Sequence, residues 1–137
     1  MGLAAVDAAV SARLAALWTR CPVRTINGTD GDVPKKPAAF LSVEYPVMRS
    51  AQISFGSPGA NVYRDDGAIR FVLSAVAGKG IKDPLVWIDE LAALFRGKTF
   101  GGVKTFAPSP PVVDDQNDNG GYFLLTFAVP FEHDYLG

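Results

Sequence analysis

The chain has 137 residues, of which 48% are hydrophobic and 20% charged, with a formal net charge of -1. That length fits one domain with a single core, and the near-neutral balance argues against a binder held to nucleic acid mainly by phosphate contacts. The lone Cys21 excludes an intramolecular disulfide and a four-cysteine metal site, so its plain reading is a small hydrophobe.

Leu3, Val6, Val10, Leu14 and Leu17 recur at three-to-four-residue spacing, which predicts an amphipathic helix ending near Arg20, ahead of Pro22. The same stretch invites a signal-peptide reading, but Asp7 and Arg13 interrupt it and no basic run precedes it. No apolar segment reaches the roughly 20 residues of a bilayer span. The expectation is a soluble protein made in the cytoplasm, with no membrane partner. Asn27-Gly28, Asp30-Gly31, Pro34 and Pro37 make Thr25 to Pro37 an irregular surface connection.

Phe40 to Tyr45 reads as a short strand that Pro46 ends or bends into an edge. A second strand is expected at Arg49 to Phe55, where Ala51, Ile53 and Phe55 alternate with Gln52 and Ser54, followed by a Gly56-Ser57-Pro58-Gly59 turn. Asp65-Asp66-Gly67 is a turn signal, and Ala68 to Val76 is a third strand with Ile69, Phe71, Leu73 and Ala75 on one face.

After Gly78-Lys79-Gly80, Asp83-Pro84 reads as an N-cap followed by a proline at the first helical position. Leu85, Ile88, Leu91, Ala92 and Phe95 form that helix's stripe, and Gly97 its left-handed cap. Val103 to Ala107 is a short strand halted by Pro108, Pro110 and Pro111, and a polar loop, Asp114 to Gly121, follows. In the last strand, Tyr122 to Phe131, the residues Phe123, Leu125, Phe127, Val129 and Phe131 share a face. The expected class is α+β, a largely antiparallel sheet of four or five strands packed with two main helices in one domain, residues 1–137.

No catalytic set can be assembled from these residues. His133 is the only histidine, so a triad or a two-histidine metal site must use it, and a solvated or hydrogen-bonded terminal histidine is the simpler reading. Asp115, Asn117, Asn119 and Gly120 match the first, third, fifth and sixth positions of an EF-hand loop, but Thr126 stands where its bidentate glutamate belongs. Gly78-Lys79-Gly80 lacks the spacing of a phosphate-binding loop and serves as a turn. Trp18 and Trp87 read as core before interface anchors, and Asp65 and Asp66 as turn residues before an acid pair. No enzyme, metal or cofactor is expected.

Three stretches then acquire a common meaning. They are the opening Val6-Asp7-Ala8-Ala9-Val10-Ser11-Ala12-Arg13-Leu14-Ala15-Ala16-Leu17-Trp18, the hairpin Ala51-Gln52-Ile53-Ser54-Phe55-Gly56 with Tyr63-Arg64-Asp65-Asp66-Gly67, and the ending Val129-Pro130-Phe131. With Leu94-Phe95-Arg96-Gly97 and Phe100-Gly101-Gly102-Val103 between them, the chain resembles the tail terminator (tail completion) proteins of long-tailed bacteriophages and phage-like gene transfer agents. The resemblance implies a structural virion protein at the tail-neck junction. It would form a homo-oligomer, a hexameric ring, on the last ring of the tail tube protein, end tube growth, and dock the head-tail connector or stopper protein while DNA only passes through. No cofactor is implied.

Two long loops supply the partner-interface candidates: Asp30, Asp32, Lys35 and Lys36 in Thr25 to Pro37, and Asp114, Asp115, Asn117, Asp118 and Asn119 in Ala107 to Gly121. The alternatives are another neck or tail-tube structural protein, or a non-viral small-ligand binding domain with an apolar pocket.

Overall fold

The computed structural model describes residues 2–24, 39–76, 82–114 and 122–137. Helix α1 (Gly2–Leu17) turns Val6, Val10 and Leu14 inward at four-residue spacing, and all three are buried. Its regular part stops at Leu17, earlier than Pro22 requires, although the Trp18 amide still bonds the Leu14 carbonyl at 2.8 Å. The second helix, α2 (Lys82–Phe95), buries Ile88, Leu91, Ala92 and Phe95, and it begins before the expected N-cap: Asp83 and Pro84 both lie inside its first turn, where a missing proline N–H is still tolerated. Gly97 follows it at φ 59°, the left-handed conformation that a side chain would resist. Thr105 completes this cap: its hydroxyl donates to a carbonyl of the last turn, Phe95, and accepts from the Lys98 amide at 2.9 Å.

Three long antiparallel strands carry the sheet: β2 (Phe40–Gln52), β3 (Val62–Val76) and β7 (Tyr122–Leu136). Around them lie β1 (Val23–Arg24), parallel to β2, then β4 (Thr99–Phe100), β5 (Val103–Thr105) and β6 (Val112–Asp114). Among the described residues the order is β1-β2-β3-β7-β5-β4, with β6 also on β7. The class is α+β, with two helices on a predominantly antiparallel sheet.

Several expected boundaries move. Pro46 neither ends nor separates strands. β2 runs through it, and the register against β3 slips between Glu44, opposite Arg70, and Val47, opposite Ala68. A bulge is where a proline fits, because the extra residue needs no ladder N–H. Asp65-Asp66-Gly67 is not a turn: the three lie inside β3, opposite Ser50, Arg49 and Met48 on one side and His133, Glu132 and Phe131 on the other. Gly67 is there for space, since a Cβ would stand 2.0 Å from the Val47 carbonyl oxygen at the bulge.

At the other end, β7 extends to Leu136 beyond the expected Phe131, and Asp114 belongs to strand β6 opposite Leu124 instead of opening a loop. In each case pairing with a distant strand satisfies backbone groups that local turn propensity would have left to water.

Ile69, Phe71 and Leu73 from β3 meet Leu125, Phe127 and Val129 from β7 on the face that the helices cover. Phe71 is the hub, with ring centroids 4.8 Å from Phe95 and 5.2 Å from Phe127. Length decides what is left over. Helices of 16 and 14 residues span about 24 and 21 Å at 1.5 Å per residue, whereas β3 and β7, at 15 residues each, reach about 50 Å. Arg49, Ser50, Ala51 and Gln52 of β2 are all exposed, on both faces of the strand, so this end of the sheet runs on past the helices as an arm.

Candidate assembly surfaces

The arm consists of the last part of β2, the first part of β3 and the end of β7. Without a helix over it, it is held by cross-strand pairs. In the arm Arg49 meets Asp66 at 2.8 Å and Arg64 meets Asp134 at 2.8 Å with Glu132 at 3.8 Å, and Arg70 meets Glu44 at 3.2 Å on the back of the helix-covered part. Arg49 and Asp66, Arg70 and Glu44, and Arg64 and Asp134 are direct register partners, so the charges alternate across one face. The hydrogen bonds from Arg64 hold the Asp134 carboxyl below the usual aspartate range, and Asp134 in turn raises the guanidinium. On the opposite face Tyr135 stacks between Tyr63, at 5.8 Å, and His133, at 6.2 Å.

The tip of the arm, residues 53–61, is ordered by its own hydrogen bonds. Buried Asn61 accepts from the Ser57 amide at 3.1 Å and from the Ser54 hydroxyl at 3.4 Å through its side-chain oxygen. The Ser54 hydroxyl accepts from the Val62 amide at 2.7 Å, and the Asn61 carbonyl accepts from the Gly137 amide at 3.0 Å. No residue from Ile53 to Asn61 carries a charge, and on this fixed loop Phe55 stands 83% exposed. A phenyl ring held out by a loop that needs no further ordering is suited to be the anchor of a protein contact.

A second surface is the outer edge of β2. Strand β1 pairs with it only at Leu41 and Ser42, and no other described strand bonds that side from Val43 to Gln52. Open edges of this length template pairing with another chain.

The third surface is a groove of about 320 Å³ where the end of α1 meets α2, lined by Leu17, Trp18, Arg20, Glu90, Ala93 and Leu94. Two hydrogen bonds, 2.8 and 2.7 Å, tie Arg20 to Glu90 on its rim, and they lower the pKa of Glu90. The Trp18 indole N–H is buried and has no hydrogen-bond partner among the described residues. Burial pushes the Cys21 thiol above its ordinary range. The Leu41 amide bonds the Pro22 carbonyl at 2.9 Å, so the groove sits near the start of β2 and the Phe55 tip beyond its end. The strand between Leu41 and Ile53 separates them by about 40 Å.

Of the residues singled out from sequence as partner contacts, only Asp114 is described, in β6, while Asp30, Asp32, Lys35, Lys36, Asp115, Asn117, Asp118 and Asn119 lie outside the described residues. So do Gly78, Lys79 and Gly80. Thr126, the twelfth position of the calcium-loop match, lies within β7 opposite Val72 and Val112. His133 is a buried strand residue whose Nδ1 is 3.0 Å from the Gly102 carbonyl oxygen, to which it donates. Trp18 is buried in the core and Trp87 packs against it half-buried.

The described residues hold no group of three or more His, Cys, Asp or Glu able to grip a metal ion, and no helix among them is long and apolar enough to cross a membrane.

Phe55 is what reading the sequence missed. The alternation Ala51, Ile53, Phe55 suggested a shared strand face, yet the strand stops at Gln52 and all three are exposed. The one available signal was an aromatic residue directly before Gly56-Ser57-Pro58-Gly59. No protein-family model matches the chain, and no curated protein matches it.

Proposed function

We propose that the protein is a structural component of a phage or gene-transfer-agent tail. In this reading it forms a ring at the tail-neck junction, ends polymerisation of the tail tube and offers the docking surface for the head connector. One observation carries it: an ordered arm, uncovered by helices, ends in a neutral tip with Phe55 exposed. A monomer working alone gains nothing from such an arm, whereas a subunit between neighbours uses it to reach them. The open β2 edge supports the same reading, and so does the family resemblance of the hairpin sequence.

The work is mechanical: subunit contacts close the ring, the two loops contact the tube end and the connector, and duplex DNA passes through unread. No catalytic residue, metal or cofactor takes part. A homo-hexamer is the stoichiometry that the resemblance implies.

The open β2 edge equally suits a subunit of the tube itself, and electron microscopy of the purified protein separates the two. A terminator stops at single rings, whereas a tube subunit polymerises into long tubes. Removing the protein from an assembling particle should give tails of uncontrolled length that fail to join heads. Particles of normal length and potency in its absence refute the proposal. Deleting residues 114–119 should leave a folded protein that fails in joining or in length control.

A further inference from the structure

The tip and the groove lie at opposite ends of the molecule, too far apart to meet within one chain. We infer that the Phe55 tip of one copy docks into the groove at Trp18 and Ala93 of the next. This contact rests on the ring reading above and specifies its subunit interface.

Three observations point to a second copy of this chain as the occupant. The groove is open, apolar and, at about 320 Å³, roomy enough for a phenyl ring and part of its loop. The tip brings no charge, so it enters without stranding an ion, and the one charged pair on the rim, Arg20 with Glu90, is already mutually satisfied. The tip is also fixed by Asn61 and Ser54 before it docks, so little freedom is lost on contact. A knob at one end and a hole at the other is a heterologous contact, which closes into a ring when the rotation between copies permits.

Two substitutions and their mixture test it. Phe55→Ala removes the knob at an exposed position, and Ala93→Trp fills the hole at another. Native mass measurement should find each variant monomeric where the unsubstituted protein forms closed rings, with thermal melts confirming that both fold. Mixed, they retain one intact knob and one intact hole between them, so the mass should double to a dimer and go no further.

A photo-crosslinking phenylalanine analogue at position 55 should label the segments around Trp18 and Ala93 of another copy. If both variants still form rings, or if the crosslinks fall elsewhere, this contact is overturned while the ring reading stands. If the unsubstituted protein is monomeric under all assembly conditions, both fall together.

Discussion

Arg64 and Asp134 face each other across β3 and β7, joined by two hydrogen bonds of 2.8 and 3.0 Å between guanidinium and carboxylate. This forked pair sits near the tip, where no helix supports the sheet. Folding lowers the Asp134 pKa, so its contribution is complete above the ordinary aspartate value of about 3.9 and disappears as pH falls through the lower folded value. Carboxyl titration by NMR should place Asp134 below the ordinary range. Arg64→Ala should move it back up and speed amide exchange at residues 134–136, with little change in global unfolding because the pair is exposed. A native Asp134 titrating like a free aspartate would contradict the geometry.

Gly67 lets β2 cross its bulge. Adding a methyl group forces Cβ against the Val47 backbone, which cannot retreat as a flexible side chain could. Gly67→Ala should cost about 1–3 kcal/mol in urea unfolding, as overpacking of a fixed contact does. An unchanged midpoint would mean that the bulge can relax at no cost.

Thr105 caps α2 from a strand 10 residues away, with its hydroxyl between the Phe95 carbonyl and the Lys98 amide. Thr105→Val preserves shape and removes both bonds, leaving buried backbone groups without partners at a cost of about 1–3 kcal/mol. Phe71→Ala, which empties the site between Phe95 and Phe127, should cost more, about 3–5 kcal/mol. Chemical denaturation ranks the two, and the reverse order would displace Phe71 as the hub of the core.

Cys21 should alkylate slowly. Burial disfavours its thiolate, so at pH 8 the native protein should react with iodoacetamide well below the rate of the same protein in urea. Equal rates in the two states would show an accessible, ordinary thiol.

Much of the architecture was legible in the residues taken alone. The four-residue spacing of Val6, Val10 and Leu14, the stripe of Ile88, Leu91 and Phe95 with the Gly97 stop, and the alternation through Leu125, Phe127 and Val129 are local patterns. They hold because a helix or a half-buried strand repeats its environment every few residues. What lay beyond such patterns was where a strand ends. Asp65-Asp66-Gly67 and Pro46 carry strong turn signals, yet both lie inside long strands. Their backbone partners, and the arginine that neutralises Asp66, come from strands that only the folded chain brings alongside.

The candidate surfaces divide in the same way. The neutral composition of the tip is visible by inspection, but its exposure is not. Phe55 projects into solvent because β3 and β7 outrun the two helices, and the groove exists because the end of α1 meets α2. Both follow from how unequal elements stack in three dimensions, a comparison that no window of sequence contains.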